Sequence, residues 1–351
     1  MAKIDTYLRA MLEADGSDLH LSVGAPPKIR ASGAIRALDT TVVTEESMRT
    51  LLREICTEER WDEYLGKRDL DFAYEIPGLA RFRGSYLYNF WGQSAVFRQI
   101  PADILSFDKL GLPGVLKDVC GYTGGLVLVT GPTGSGKSTT LAAMIDYINE
   151  HYQKHIITIE DPVEFVHPRK RSVIVHREVG THTGSFANAL RGAMRADPDI
   201  VLVGEMRELE TIKLALNCAS MGMLVFGTLH TNNAPKTVDR IIDAFPAAEQ
   251  DQIRVMLAGS LACVVSQLLC KRQPKGRIAV HEILLRHEAL PNTIRTGRIS
   301  AIRGIIENGA DRGMRLMDTS IRQAYDAGHI TAEEAYLKAS DKDAFAKLLD
   351  N

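Results

Sequence analysis

Apolar positions in the first hundred residues change period several times. Ile4, Leu8, Met11 and Leu12 share one helical face that ends at Asp15-Gly16-Ser17, whereas Leu19, Leu21 and Val23 alternate with Asp18, His20 and Ser22 as in a half-buried strand. Further short strands are predicted around Pro26-Pro27 and over 70–74, 81–90 and 95–98, with a helix over 45–55. This mixture predicts a small α+β domain over residues 1–100. Residues 101–113, holding Gly111 and two prolines, read as a linker. Over 114–351 the rhythm becomes regular. Apolar runs at 126–130, 156–159, 200–203 and 224–227 alternate with helical stretches, which predicts an α/β domain built on a parallel sheet covered on both faces. Ligands of such sheets bind at the carboxyl ends of the strands. The chain shows no internal repeat of fixed period.

The first of those strand ends carries a strong signal. Gly131-Pro132-Thr133-Gly134-Ser135-Gly136-Lys137-Ser138-Thr139 satisfies G-x-x-x-x-G-K-[ST]. It follows the apolar run Leu126 to Thr130 and precedes Leu141, Ile145 and Ile148 on one helical face. Glycines let backbone N–H groups of Thr133 to Thr139 surround a polyphosphate, Lys137 supplies a point charge, and the Ser138 hydroxyl can ligate Mg²⁺. ATP and Mg²⁺ are therefore the expected ligands.

Three other strands end in polar residues: Glu160-Asp161-Pro162-Val163-Glu164, Gly204-Glu205-Met206-Arg207, and Leu229-His230-Thr231-Asn232-Asn233. Hydrolysis requires one carboxylate for the metal and one for the attacking water. Glu205 is the expected base, because an acid after an apolar strand is what a Walker B segment supplies. The usual preceding acid is replaced by Gly204, so metal support is expected from Glu160, Asp161 or Glu164. His230 is placed to donate a hydrogen bond to the γ-phosphate.

Composition narrows the field. The 351 residues are 45% hydrophobic and 25% charged with a formal charge of −2, which gives no general affinity for nucleic acid. The N-terminal residues lack the apolar core of a secretory signal, and the longest nearly apolar stretch, 257–270, is shorter than the ~18 to 20 residues that span a bilayer. A cytoplasmic protein is expected. Its five cysteines form no C-x-x-C, so no zinc is expected, and Cys218 and Cys263 read as small hydrophobes in helical surroundings.

Taken together, the phosphate loop, Ile159 to Phe165, Arg177 to Thr183, Val203 to Arg207 and Gly227 to Asn232 resemble the Walker A, aspartate, Walker B and histidine boxes of the secretion ATPase superfamily. Within it the chain is similar to the type IV pilus retraction ATPases, and Gly16 to Leu21 and Thr231 to Pro246 extend the likeness over nearly the whole sequence. The resemblance implies an N-terminal PAS-like domain, a RecA-like P-loop ATPase core and a homohexamer with ATP at subunit interfaces. It implies an inner-membrane pilus platform protein as partner, a location at the pilus base, and no nucleic acid. It assigns Glu205 as base, Glu164 as an acid near metal and water, and His230 as a coupling residue. Arg81, Arg83 and Arg98, with Arg191 and Arg195, become candidates for charge compensation on a neighbour's γ-phosphate. Arg81 and Arg83 flank Phe82 and share the strand face opposite Phe82, Tyr86 and Tyr88.

Two stretches depart from the family. Ala289 to Thr296, at the place of the retraction motif A-I-R-N-L-I-R-E, contains Pro291, which interrupts a helix unless it lies in the first turn. Ala196 stands where relatives often have Glu. The leading expectation is a retraction motor, and the competing ones are an accessory retraction ATPase and an extension or type II secretion ATPase. From other classes come a RecA-like nucleic-acid motor and a nucleotide-binding scaffold.

Overall fold

The computed structural model describes residues 2–31, 33–100 and 103–349. Pro101 and Ala102 of the expected linker lie outside the described residues. The chain divides into two compact units, Met1–Asp103 with Asp161–Val166, and Ile104–Glu160 with His167–Asn351.

The first unit opens with α1 (Ile4–Glu13), whose Ile4, Leu8 and Met11 are fully buried, and continues into β1 (Gly16–Ser22), β2 (Lys28–Ala31) and β3 (Ala34–Ala37). Pro26 and Pro27 stand before β2 rather than in a strand, as expected of residues with no N–H to give a ladder. Two helices follow, α2 (Glu45–Arg53) and α3 (Glu58–Lys67), each started by a threonine cap, Thr44 and Thr57. Periodicity missed α3 because it exposes most of its surface and buries Trp61 and Tyr64. The strands β4 (Asp69–Ile76), β5 (Ala80–Asn89) and β6 (Gly92–Ile100) complete an antiparallel sheet in the order β3-β2-β1-β6-β5-β4. Its inner face is aromatic. Tyr86 meets Phe72, Tyr64 and Phe97 edge-on at centroid distances of 5.0, 5.4 and 6.0 Å.

The second unit begins with two short helices, α4 (Phe107–Leu110) and α5 (Val115–Cys120). The alternating part follows as β7 (Gly125–Thr130), α6 (Lys137–His151), β8 (His155–Glu160), β9 (Val173–Glu178), α7 (Phe186–Ala193), β10 (Ile200–Val203), α8 (Leu209–Ser220) and β11 (Leu224–Leu229). After α9 (Ala234–Asp243) and α10 (Ala247–Ser260) come β12 (Leu261–Lys271) and β13 (Arg277–Leu285). The seven strands run in the order β13-β12-β7-β11-β10-β8-β9, parallel except for β13. Every residue of β7, β10 and β11 is buried, which is why these strands read as unbroken apolar runs. Cys263, expected in helical surroundings, lies on β12. A short apolar run has no period that separates strand from helix. Cys218 and Cys263 are both fully buried.

Five helices close the chain: α11 (Leu290–Arg295), α12 (Ile302–Asn308), α13 (Met317–Asp326), α14 (Ala332–Lys338) and α15 (Lys342–Ala346). Pro291 falls in the first turn of α11, where its missing N–H removes no helical bond, so the departure at Ala289 to Thr296 leaves a helix in place. Among the described residues, no helix is long and apolar enough to cross a membrane.

Two buried imidazoles in this unit are expected to make the fold acid-sensitive. His281 on β13 is 2% exposed, and burial, helped by the charge of Arg315, lowers its pKa from 6.5 to about 4. His167 is lowered to about 3 by burial and by the charges of His176 and Lys170. In both cases the unfolded chain takes up its proton first, so stability is lost as pH falls below 6.5 towards these lower values. The thermal midpoint is expected to drop between pH 7 and pH 5, and His281→Leu to flatten that slope. A midpoint independent of pH over this range would contradict the burial of these imidazoles.

Candidate functional site

The C-terminal ends of β7, β11, β10 and β8 lie side by side, since Leu229 pairs with Thr130 and Val203 pairs with both Gly227 and Ile159. This edge carries the phosphate loop, His230, Glu205 and Glu160 in that order. Gly131, Gly134 and Gly136 take φ values of +145°, +78° and +87°, a region that favours glycine. Thr133 and Gly134 are exposed at the loop tip, while Ser135 is 3% exposed and its Oγ is a buried oxygen with no hydrogen-bond partner in the protein. The Lys137 ammonium donates to the carbonyls of Gly131 and Pro132 at 2.9 and 3.1 Å, so its charge is held over the mouth of the loop. Ser138 and Thr139 follow in the first turn of α6, whose N-terminus adds partial positive charge.

Two strands away from β7, Glu205 follows β10 with its side chain 24% exposed. Its Oε1 accepts from His230 Nε2 at 2.8 Å and is ion-paired with Arg207 Nε. Burial pushes the Glu205 carboxyl up, but the hydrogen bonds from Arg207 and His230 and their charges outweigh it and hold the pKa below the usual value. Glu205 is thus ionised at neutral pH. Gly204 is fixed by its N–H to Ile159 O at 2.8 Å and by the Thr228 hydroxyl donating to its carbonyl. A Cβ at position 204 would lie 3.3 Å from Cα and Cγ of Glu160, a close contact to which the end of β8 would have to yield by a few tenths of an ångström.

Most of the remaining candidates belong to the first unit. The segment Asp161–Val166, which carries Asp161 and Glu164, is held there by Arg81 Nη1 donating to Val163 O at 2.9 Å, and Arg81 also faces Glu75 at 3.7 Å. Glu164 is half-buried and Asp161 exposed. Arg83 is exposed on β5, while Phe82 and Tyr86 on the opposite face are buried, as the alternation predicts. Arg98 on β6 pairs with Asp18 on the adjacent β1 at 2.8 Å, and that carboxylate, 3% exposed, is held below its usual pKa: burial raises it, but bonds from Ser17 and Arg98 lower it further. Much of the Arg98 charge is therefore already answered. In the second unit Arg191 is ion-paired with Glu210, and Arg195 is exposed.

The donor set suits a hard cation bound chiefly through phosphate and water. Oxygens of Ser138, Glu160 and Glu205 are present at this edge. That pattern fits Mg²⁺ held by Ser138 and the nucleotide. Sequence reasoning assigned no role to Arg207, Thr140 or Gln267. Gln267 carried a signal, being a polar residue inside the apolar run of β12 and 2% exposed, because a buried amide needs partners.

A glycine cradle mouthed by a lysine, with an ionised glutamate two parallel strands away, defines a P-loop nucleoside triphosphatase. Residues 68–273 match the model of the family described as type II/IV secretion system protein, and the chain belongs to that family of RecA-like ATPases. It is 46% identical over 329 residues to the type IV pilus retraction ATPase PilT of Pseudomonas aeruginosa, covering 94% of this chain and 96% of that one. It is also 46% identical over 321 residues to a twitching motility protein of Neisseria gonorrhoeae, covering 91% and 86%. A crystal structure of the pilus retraction motor PilT with bound ADP superposes with a TM-score of 0.90 at 40% identity, over 99% of each chain.

Proposed function

We propose that this chain is the ATP-hydrolysing motor of type IV pilus retraction. The observation that carries the proposal is the end-to-end likeness to two retraction or twitching proteins, at 46% identity in each case. In this reading, backbone amides of Thr133 to Thr139 wrap the phosphates and Lys137 turns from the loop carbonyls to the β/γ oxygens. Ser138 holds Mg²⁺, with Glu160, Asp161 and Glu164 supporting the metal and its water, and the ion neutralises charge on the nucleotide when bound.

Glu205 takes the proton of the attacking water. With His230 and Arg207 bonded to it, Glu205 is a weak base, because the same bonds that keep it ionised lower its affinity for a proton. Turning His230 towards a γ-phosphate would remove one of those bonds and raise the basicity of Glu205 when substrate is present. His230 thereby couples nucleotide state to chemistry. Arg81, Arg83 and Arg98 are the candidates for a trans-acting charge, with Arg98 the least available because of Asp18. The working form is a homohexamer with nucleotide between subunits, acting on a pilus platform protein from the cytoplasmic side of the inner membrane.

Deleting the gene and recording pilus number and retraction tests the reading directly. Hyperpiliated cells that cannot retract are expected. Bald cells would indicate extension instead, and cells that still retract would indicate an accessory role. Strong stimulation of ATP turnover by single-stranded DNA would move the protein to the nucleic-acid motors.

A further inference from the structure

We infer that Gln267 is a positioning residue for the phosphate loop, an inference that rests on the reading of that loop as a nucleotide site. Gln267 lies on β12, the neighbour of β7 on the side away from β11. Its side-chain Nε2 donates to the carbonyl of Ser135 at 2.5 Å, and its Oε1 accepts from Thr140 Oγ1 at 2.7 Å. One buried amide therefore ties the fifth residue of the loop to the first turn of α6. Those two segments supply the amides and the helix N-terminus on which anion binding depends.

The backbone of the same residue makes a third restraint. A Cβ on Gly131 would come within 2.3 Å of the Gln267 carbonyl oxygen, and one on Gly136 within 2.8 Å of Nε2, so the first and last glycines of the loop are both seated against this residue. Next to it Ser266 Oγ bonds Thr130 Oγ1 at 2.8 Å, which locks the register of β12 against the last residue of β7. Thr140 is itself 2% exposed and its N–H donates to Gly136 O at 3.0 Å. A carboxylate cannot replace the amide, because it only accepts and the Ser135 carbonyl needs a donor, and leucine offers neither that donor nor the acceptor that the Thr140 hydroxyl needs.

His230 follows β11 and Glu205 follows β10, both on the side of β7 away from β12. A defect in the Gln267 clamp should therefore appear in nucleotide affinity rather than in the chemical step. In the full-length protein, Gln267→Leu and Gln267→Glu are expected to raise the Kd for ADP and the KM for ATP at least about tenfold, with kcat at saturation changed less than about threefold. Thr140→Val is expected to weaken ADP binding in the same direction, and Thr140→Ser, which keeps the hydroxyl, to restore it. A folded Gln267→Leu protein with wild-type Kd and KM would overturn the inference. Were that variant unable to fold, equal ADP affinity in Thr140→Val and Thr140→Ser would overturn it. Wild-type protein unable to bind ADP would instead remove the underlying reading of the loop.

Discussion

Glu205→Gln is expected to bind ATP as tightly as the wild type and to hydrolyse it about 10²- to 10⁴-fold more slowly, the usual contribution of a general base. The amide keeps the shape of the carboxylate and can still accept from His230 Nε2, but it cannot take a proton from water. Stability should hardly change. The Arg207 partner is 76% exposed, and an ion pair open to solvent on one side contributes about 0–1 kcal/mol. Isothermal titration with ATP and a single-turnover assay separate the two effects. Retained turnover in a variant that binds ATP normally would move the base elsewhere, with Glu164 next. The pH profile is a second check: since Arg207 and His230 hold Glu205 below the ordinary carboxylate range in the free enzyme, the acid limb of kcat/KM should start below the pKa of an unperturbed glutamate, and that of kcat should lie higher if His230 turns to the nucleotide.

Gly131→Ala is expected to abolish nucleotide binding, whereas Gly134→Ala should weaken it modestly. The two substitutions add the same methyl group to the same loop and differ in what it meets. At 131 the new Cβ falls 2.3 Å from Gln267 O and 2.7 Å from Ser135 Oγ, at φ +145°, so the loop or β12 must move. At 134 nothing lies within 4 Å, and the cost is the left-handed backbone alone, about 1–2 kcal/mol at φ +78°. ADP affinity should fall more than about a hundredfold in the first variant and about ten- to thirtyfold at most in the second, since 1.4 kcal/mol is a factor of ten. Equal losses would mean that backbone conformation, not the seat on β12, is what glycine provides at position 131.

Much of the nucleotide-binding half was legible as sequence because its signals are local. A strand, a glycine loop and a helix in immediate succession need no distant residue to be recognised, and fully buried parallel strands leave unbroken apolar runs at 126–130, 200–203 and 224–227. The same rule failed on β12. Its run of apolar residues fits a buried helix equally well, and only its pairing with β7 and β13 shows that it is a strand. The helix α3 was missed for the opposite reason, because two buried aromatics in ten residues leave no apolar stripe to follow.

Local order along the chain thus determined where phosphate is held, which acid follows which strand, and that Pro291 breaks a helix anywhere but in its first turn. Tertiary structure decided what those residues are bonded to. Glu205 and His230 are 25 positions apart yet joined by a hydrogen bond, Arg98 finds Asp18 across 80 positions, and Gln267 reaches Ser135 across 132. Such pairs leave no trace in periodicity, because the hydrophobic pattern specifies which face of an element is buried but not which neighbour's polar group it meets there. The partners are set by strand order and register, which follow from packing the whole sheet at once.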